Sequence, residues 1–115
     1  MARDWQFFVY IIASRSRVIY IGVTNDIRVR TRQHKEGLIE GFSRRYKCNR
    51  LVYYETYRYV NNAIQRETEL KKWSRKKKVA LIQSENLTWE DLAENMDEKQ
   101  VPRFARNDNS EVIPK

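Results

Sequence analysis

Apolar and polar positions fall in blocks whose lengths and spacing set the expected elements. Phe7 to Ala13 is an unbroken apolar run rich in aromatic and β-branched residues, and Trp5 to Ala13 reads as a strand. Ser14-Arg15-Ser16 predicts a turn, without the Asn-Gly signal of a two-residue hairpin loop. Val18 to Thr24 reads as the second strand. Asn25-Asp26 supply helix N-caps, and the run to Glu36, closed by Gly37, predicts a helix rich in arginine and poor in apolar residues (Ile27, Val29). Gly41 to Asn49 predicts a loop or a short helix, and Leu51 to Tyr57 a third strand. Asn61-Asn62 would cap a helix from Ala63 to about Trp73. Ser74 to Lys78 leads into another helical segment, Val79 to Glu85, and Thr88-Trp89-Glu90-Asp91 has a capping-box form that would open a short last helix. The order β-β-α-β-α-α predicts an α+β fold, a small, mainly antiparallel three-stranded sheet flanked by helices. It would fill one domain over residues 1–94. From residue 95 to 115 the pattern stops, with Pro102 and Pro114 in polar sequence, and a loose tail is expected.

Charge changes the picture. The chain has 115 residues, enough for one modest core, and a net charge of +8. That charge is uneven: residues 1–84 carry 19 Lys and Arg against 7 Asp and Glu, whereas residues 85–115 carry 4 against 8. A basic body of this size favours a polyanionic partner, most often nucleic acid. The plainer alternative is a solvated basic surface with no specific partner. The longest apolar run falls far short of the ~20 residues that span a bilayer, so no membrane partner is expected. Asp4 and Gln6, with no small-residue cleavage site, argue against reading that run as a signal-peptide core. The single cysteine, Cys48, has no partner for a disulfide or a metal cluster, which fits a reducing, cytoplasmic compartment.

Three features could carry chemistry. In the hairpin, a three-residue loop would put Tyr10 directly opposite Tyr20 on one face, and a two-residue loop would put them on opposite faces. A cross-strand aromatic pair that only stabilises the sheet, by ~0.2–1 kcal/mol, is the plain reading of such a pair. On the following helix Asp26, Arg30 and His34 share a face, where a guanidinium fork suits a phosphate; a solvated basic face is the alternative. On the helix from Ala63 the apolar stripe would be Ala63, Ile64, Leu70 and Trp73, with Glu67 set in its middle. A buried carboxylate needs a cation or strong donors. Either a salt bridge to a core-edge Arg or Lys, or a hard divalent cation such as Mg²⁺ completed by phosphate and water, would satisfy it. Glu69 lies off that stripe.

Taken in order, these residues resemble the GIY-YIG nuclease family, closest to its small single-domain bacterial members, which are compared with the amino-terminal incision domain of the excision-repair UvrC proteins. The likeness runs through "YIGVTND" (Tyr20 to Asp26), "LVYYE" (Leu51 to Glu55), "RETELKKW" (Arg66 to Trp73) and N-x-x-W-x-D-L (Asn86 to Leu92), and spans roughly Trp5 to Leu92. The resemblance implies that Tyr10 and Tyr20 are the two motif tyrosines, Gly22 the motif glycine, Arg30 the catalytic arginine and Glu67 the metal-binding glutamate. His34 matches a position often histidine, and Asn86 a polar position near the site. The first triplet departs from the pattern, because Phe8 and Val9 replace the glycine and isoleucine.

The same resemblance implies a Mg-dependent endonuclease acting on DNA, structure- or damage-directed, with one Mg²⁺ (or Mn²⁺) on Glu67. Arg30 would stabilise charge building on the phosphate, and Tyr20 or Tyr10 would activate or orient the water, with His34 as another candidate. A phenol at its usual pKa near ~10 is a poor base, so neighbouring cations would have to lower it. Arg28, Arg44, Arg45, Lys47, Arg75, Lys76 and Lys77 would hold backbone phosphates without reading sequence. Tyr46, Tyr53, Tyr54, Tyr57 and Tyr59 could stack unpaired bases, although core or sheet surface is the plainer place for most of them. DNA is favoured over RNA, the state expected is a monomer or weak dimer, and a protein partner would supply specificity. The competing expectation is a catalytically idle nucleic-acid-binding module that acts with a partner.

Overall fold

A computed structural model describes residues 6–39 and 41–95. The expected strand start at Trp5 and the tail beyond Asn95 lie outside these residues. The elements are β1 (Phe7–Ala13), β2 (Ile19–Thr24), α1 (Ile27–Lys35), α2 (Phe42–Arg45), β3 (Arg50–Tyr57), α3 (Val60–Lys72), α4 (Arg75–Glu85) and a 3-10 turn (Leu92–Asn95). The predicted α+β order holds, with α2 as the short helix of the 41–49 segment.

The unbroken apolar run has a direct cause. β1 is the central strand of an antiparallel sheet ordered β2-β1-β3, and it is covered on both faces. Successive side chains of a strand point to opposite faces, so such a strand must be apolar at every position. Phe8 to Ala13 are all buried, rather than half-buried in alternation. Val9, Ile11 and Ala13 pack with Ile21, Ala63, Leu70, Ile82 and Trp89, which puts α3 and α4 on one face. Phe8, Tyr10 and Ile12 pack with Ile27, Cys48 and Leu51, which puts α1 on the other. A bulge in β3 opposite Ile11 and Ile12 places Val52 and Tyr53, neighbours in sequence, in the same cluster, which explains why "LVYY" does not alternate.

Several boundaries differ from expectation. α3 starts at Val60, so Asn61 and Asn62 lie exposed within its first turn and do not cap it. α4 begins at Arg75, where the Ser74 hydroxyl accepts from Lys77 N at 3.2 Å; the basic run is the first turn of the helix rather than a lead-in. Ile64 is 46% exposed, so the inner stripe of α3 is Ala63 and Leu70, with Trp73 half-buried. The capping box at Thr88 does not form. Asp91 takes that role, accepting from Ala93 N at 3.0 Å, while the Thr88 hydroxyl turns to Glu90. Asp91 also accepts from Leu51 N at 3.1 Å and pairs with Lys35, tying the end of α1 to the start of β3.

One part-buried polar cluster braces α3 against β3. Glu55 accepts from Arg66 Nε and Nη2, both at 2.9 Å, and from the hydroxyls of Tyr53 (2.5 Å) and Tyr57 (2.7 Å). Burial alone would raise its pKa, but Arg66 and the two phenols hold the carboxyl below its usual range. Removing Arg66 would leave that carboxylate desolvated and short of its cation. Arg66→Ala is therefore expected to cost about 3–5 kcal/mol in urea unfolding; a loss under about 1 kcal/mol would mean that the pair behaves as a surface bridge.

Candidate functional site

The site begins with the β1–β2 hairpin. Five residues, Ser14–Val18, join the strands, and Ser14 N donates to Val18 O at 3.0 Å. The loop is two residues longer than expected, so Tyr10 pairs with Gly22 and Tyr20 with Ile12 rather than with each other. A shift of two preserves the face, and both phenols lie on the α1 side with ring centroids 6.4 Å apart. Gly22 makes room for this. A Cβ there would sit 2.5 Å from the Tyr10 hydroxyl oxygen and 2.6 Å from Cζ, so the Tyr10 ring lies across the glycine backbone.

α1 follows β2 after only Asn25-Asp26, which sets its first turn over the same face. Asp26 caps it, accepting from Val29 N at 3.1 Å, and stays exposed. The inward stripe is therefore Ile27, Thr31 and His34, with Arg30 half-buried beside it, and Asp26 takes no part in the site. At the far end Gly37, at φ +71°, closes the helix as its sequence suggested.

His34 is the hub. Its Nε2 lies 3.0 Å from the Tyr10 hydroxyl and its Nδ1 2.6 Å from Ser43 Oγ on α2. Its ring centroid is 5.6 Å from that of Tyr10 and 5.4 Å from that of Tyr20. Ser43 in turn donates to Cys48 O at 3.4 Å. A neutral imidazole has one donor and one acceptor. With Ser43 donating to Cys48, Nδ1–H donates to Ser43 and Nε2 accepts from Tyr10. A hydroxyl–imidazole–hydroxyl chain thus runs through the buried layer.

The electrostatics follow from burial. Desolvation, then the charge of Arg30, pushes the His34 pKa down to about 4, so the ring is neutral at physiological pH. Tyr10 is pushed up to about 12, chiefly by burial; the Arg30 guanidinium beside it works in the other direction, and Tyr20 and Glu67 add to the rise. The expectation that neighbouring cations would lower the pKa of the working phenol therefore fails for Tyr10. Glu67 comes from the opposite layer, on α3, which packs against β1 and β2. Its field reaches Tyr10, but its side chain is 21% exposed and pairs with Lys71 at 2.9 Å. It lies on the border of the α3 stripe rather than in its middle. Among the described residues, no group of three or more His, Cys, Asp or Glu side chains forms a metal cluster.

The comparisons with known proteins bear on this arrangement. Residues 6–80 match the GIY-YIG catalytic domain. The chain belongs to the GIY-YIG family. It is 33% identical over 76 residues to a UPF0213 protein of Staphylococcus epidermidis, covering 66% of this chain and 93% of that one. A UPF0213 protein of Staphylococcus aureus is 33% identical over 75 residues, covering 65% and 92%. The solution NMR structure of a UPF0213 protein from Bacillus halodurans superposes with a TM-score of 0.50 at 28% identity, covering 75% and 92%. The GIY-YIG family is one of nucleases, so nucleic acid is its general partner.

This GIY-YIG domain brings Tyr10, Tyr20, His34 and Arg30 together and sets Glu67 within electrostatic reach. Ser43 went unread in the sequence. It lies nine positions after His34 on a different helix, and no local periodicity links the two. Asn86 is fully occupied by backbone: its amide donates to Val52 O (3.1 Å) and Glu90 O (2.8 Å) and accepts from Glu90 N (2.9 Å), pinning the 86–90 loop. Among the basic residues, Arg44, Arg45 and Lys47 are exposed on and just after α2, and Arg28 is half-buried on α1. Lys76 is exposed, Lys77 lies 4.6 Å over the Trp73 ring, and Arg75 donates to Arg17 O at 2.8 Å. Among the described residues no helix is long and apolar enough to cross a membrane.

Two measurements probe the hub. His34 is the only histidine in the chain, so its NMR titration is unambiguous, and its midpoint should fall near 4. Because that value lies below the unfolded 6.5, the unfolded chain binds the proton first as pH falls. Stability should therefore drop between pH 6.5 and 4, by up to about 3 kcal/mol. A midpoint of 6 or above would remove the buried neutral imidazole. Separately, Gly22→Ala should displace the Tyr10 ring and cost about 1–3 kcal/mol, with loss of the His34 ring shifts that report the Tyr10 contact; unchanged stability and shifts would show that the ring does not depend on that space.

Proposed function

We propose that this chain is a Mg²⁺-dependent endonuclease that hydrolyses phosphodiester bonds in DNA, directed by the structure or damage of its substrate. The observation that carries this reading is the convergence of two phenols, an imidazole and a guanidinium on one face of the sheet, under the field of the Glu67 carboxylate. The free, buried thiol of Cys48 fits a cytoplasmic setting.

Glu67 suits the metal. A carboxylate is a hard oxygen donor, and Mg²⁺ needs few protein ligands when phosphate and water supply the rest. Its side chain is partly exposed and Lys71 holds one of its oxygens, so an ion would bind the other or displace the lysine. When bound, the ion would polarise the scissile phosphate and neutralise part of its charge. Arg30 supplies the complementary charge to the non-bridging oxygens. Tyr20 is the half-exposed phenol of the pair and orients the attacking water. Tyr10 has no solvent exposure and retains its proton, so it acts behind Tyr20, held by His34 and Ser43. Arg44, Arg45, Lys47, Lys76 and Lys77 hold backbone phosphates, and recognition beyond shape falls to a partner chain.

The ion pair between Lys71 and Glu67 favours a second reading, a catalytically idle module that binds nucleic acid for a partner. Incubation with branched, nicked and single-stranded DNA, with Mg²⁺ and with chelator, separates the two. Cleavage should require the ion. Glu67→Ala should abolish it, and Arg30→Ala should slow it by about 10²–10³-fold, both with unchanged far-UV CD. Gel retention without products would favour the idle module, and parental cutting by both variants would overturn the assigned roles.

A further inference from the structure

α2 presents two different surfaces. Ser43 points inward to His34, whereas Phe42 and Tyr46, four positions apart, point outward. Their ring centroids are 4.8 Å apart at 44°, and Phe42 and Tyr46 remain 47% and 44% exposed. Two large rings packed on each other yet open to water are not explained by the core, since neither belongs to the two buried clusters. The Arg45 guanidinium sits 5.8 Å from the Tyr46 ring, with Arg44 and Lys47 exposed on either side.

We infer that the Phe42–Tyr46 pair is a stacking platform for an unpaired nucleobase, and that Arg45 and Lys47 hold the phosphates flanking that base. An aromatic face accepts any base, and adjacent cations match the strand's charge, whereas a base inside a duplex offers no free face. The substrate class follows: DNA with a base unstacked close to the scissile bond, as at a flap, branch or gap, rather than continuous duplex. This inference rests on the proposed nuclease reading and deepens it. The other exposed tyrosine, Tyr59, has no such ring partner among the described residues. Tyr53 and Tyr57 are spent on Glu55.

The test is binding in chelator, so that it does not depend on cutting. DNA carrying 2-aminopurine in a single-stranded flap should be quenched on binding by the parent chain. Phe42→Ala and Tyr46→Ala should each lose the quenching and weaken flap binding by about 5-fold or more, while affinity for blunt duplex changes less than about 2-fold. Tyr46→Trp should retain both signals. A His34 titration midpoint still near 4 in each variant shows that α2 stays docked. Flap binding equal to the parent's, or an equal loss on flap and duplex, overturns the platform. So does concentration-dependent dimerisation of the parent that is abolished by the same variants, because the rings would then be covered by a second copy. A nuclease that fails to cut but keeps the quenching pattern would sink the catalytic roles and leave the platform standing.

Discussion

The arrangement of the site depends on one steric fact: on the β2 side there is no side chain opposite Tyr10. In an antiparallel pair, directly opposed Cβ atoms stand ~4.5–5.5 Å apart, and a ring that leans across the strand must take its neighbour's place. Gly22 vacates that place, and the Tyr10 hydroxyl crosses the strand until it meets His34 Nε2 at 3.0 Å. Gly22 has no positive φ, so conformational freedom does not explain it; volume does. The motif's glycine and its first tyrosine are thus a single device, and Phe8, which pairs with Thr24 two residues along the strands, lies outside that contact.

From that contact the electrostatics divide the two phenols. Tyr10 is sealed in, keeps its proton and forms one end of a chain through His34 to Ser43. Tyr20, opposite Ile12, is the one left at the surface. The two tyrosines, ten positions apart, thus differ in exposure: both rings meet His34, but Tyr10 is sealed in while Tyr20 is only half-buried. Arg30 serves both ends: it opposes the rise at Tyr10 and helps to keep His34 neutral. Burial is the larger cause of the low His34 pKa, and Arg30 adds to it, because a cation beside a neutral imidazole costs little whereas a second cation there would be repelled.

Much of this was legible in the sequence, and the failures have physical causes. The β-branched and aromatic runs gave the strands, because a central strand buried on both faces must be apolar throughout. The hairpin loop was read two residues too short, yet the face assignment survived because side chains alternate with a period of two. The α3 stripe was misjudged at Ile64. Ala63 and Leu70 fix the centre of the buried face, and the neighbour of Ala63 in sequence turns away by about a quarter of a circle, into solvent. Glu67 then sits on the border, where Lys71 can reach it, and never had to be a buried charge. Ser43 could not be found by pattern, and Asp91 showed only as part of a capping box, since each acts through partners on other elements.

The turn from Phe42 to Tyr46, α2 and its C-cap, carries the last step. Facing in, Ser43 fixes the tautomer of the imidazole that holds Tyr10; facing out, two rings and several cations meet solvent. An element this short has too few hydrogen bonds of its own to be rigid in isolation. Its position is set from within, by the Ser43–His34 bond and by the bonds between Ser43 and Cys48 that close the turn. The inward partner of the imidazole and the outward ring pair are thus held by one turn of backbone, so a change that undocks Ser43 would also move the rings.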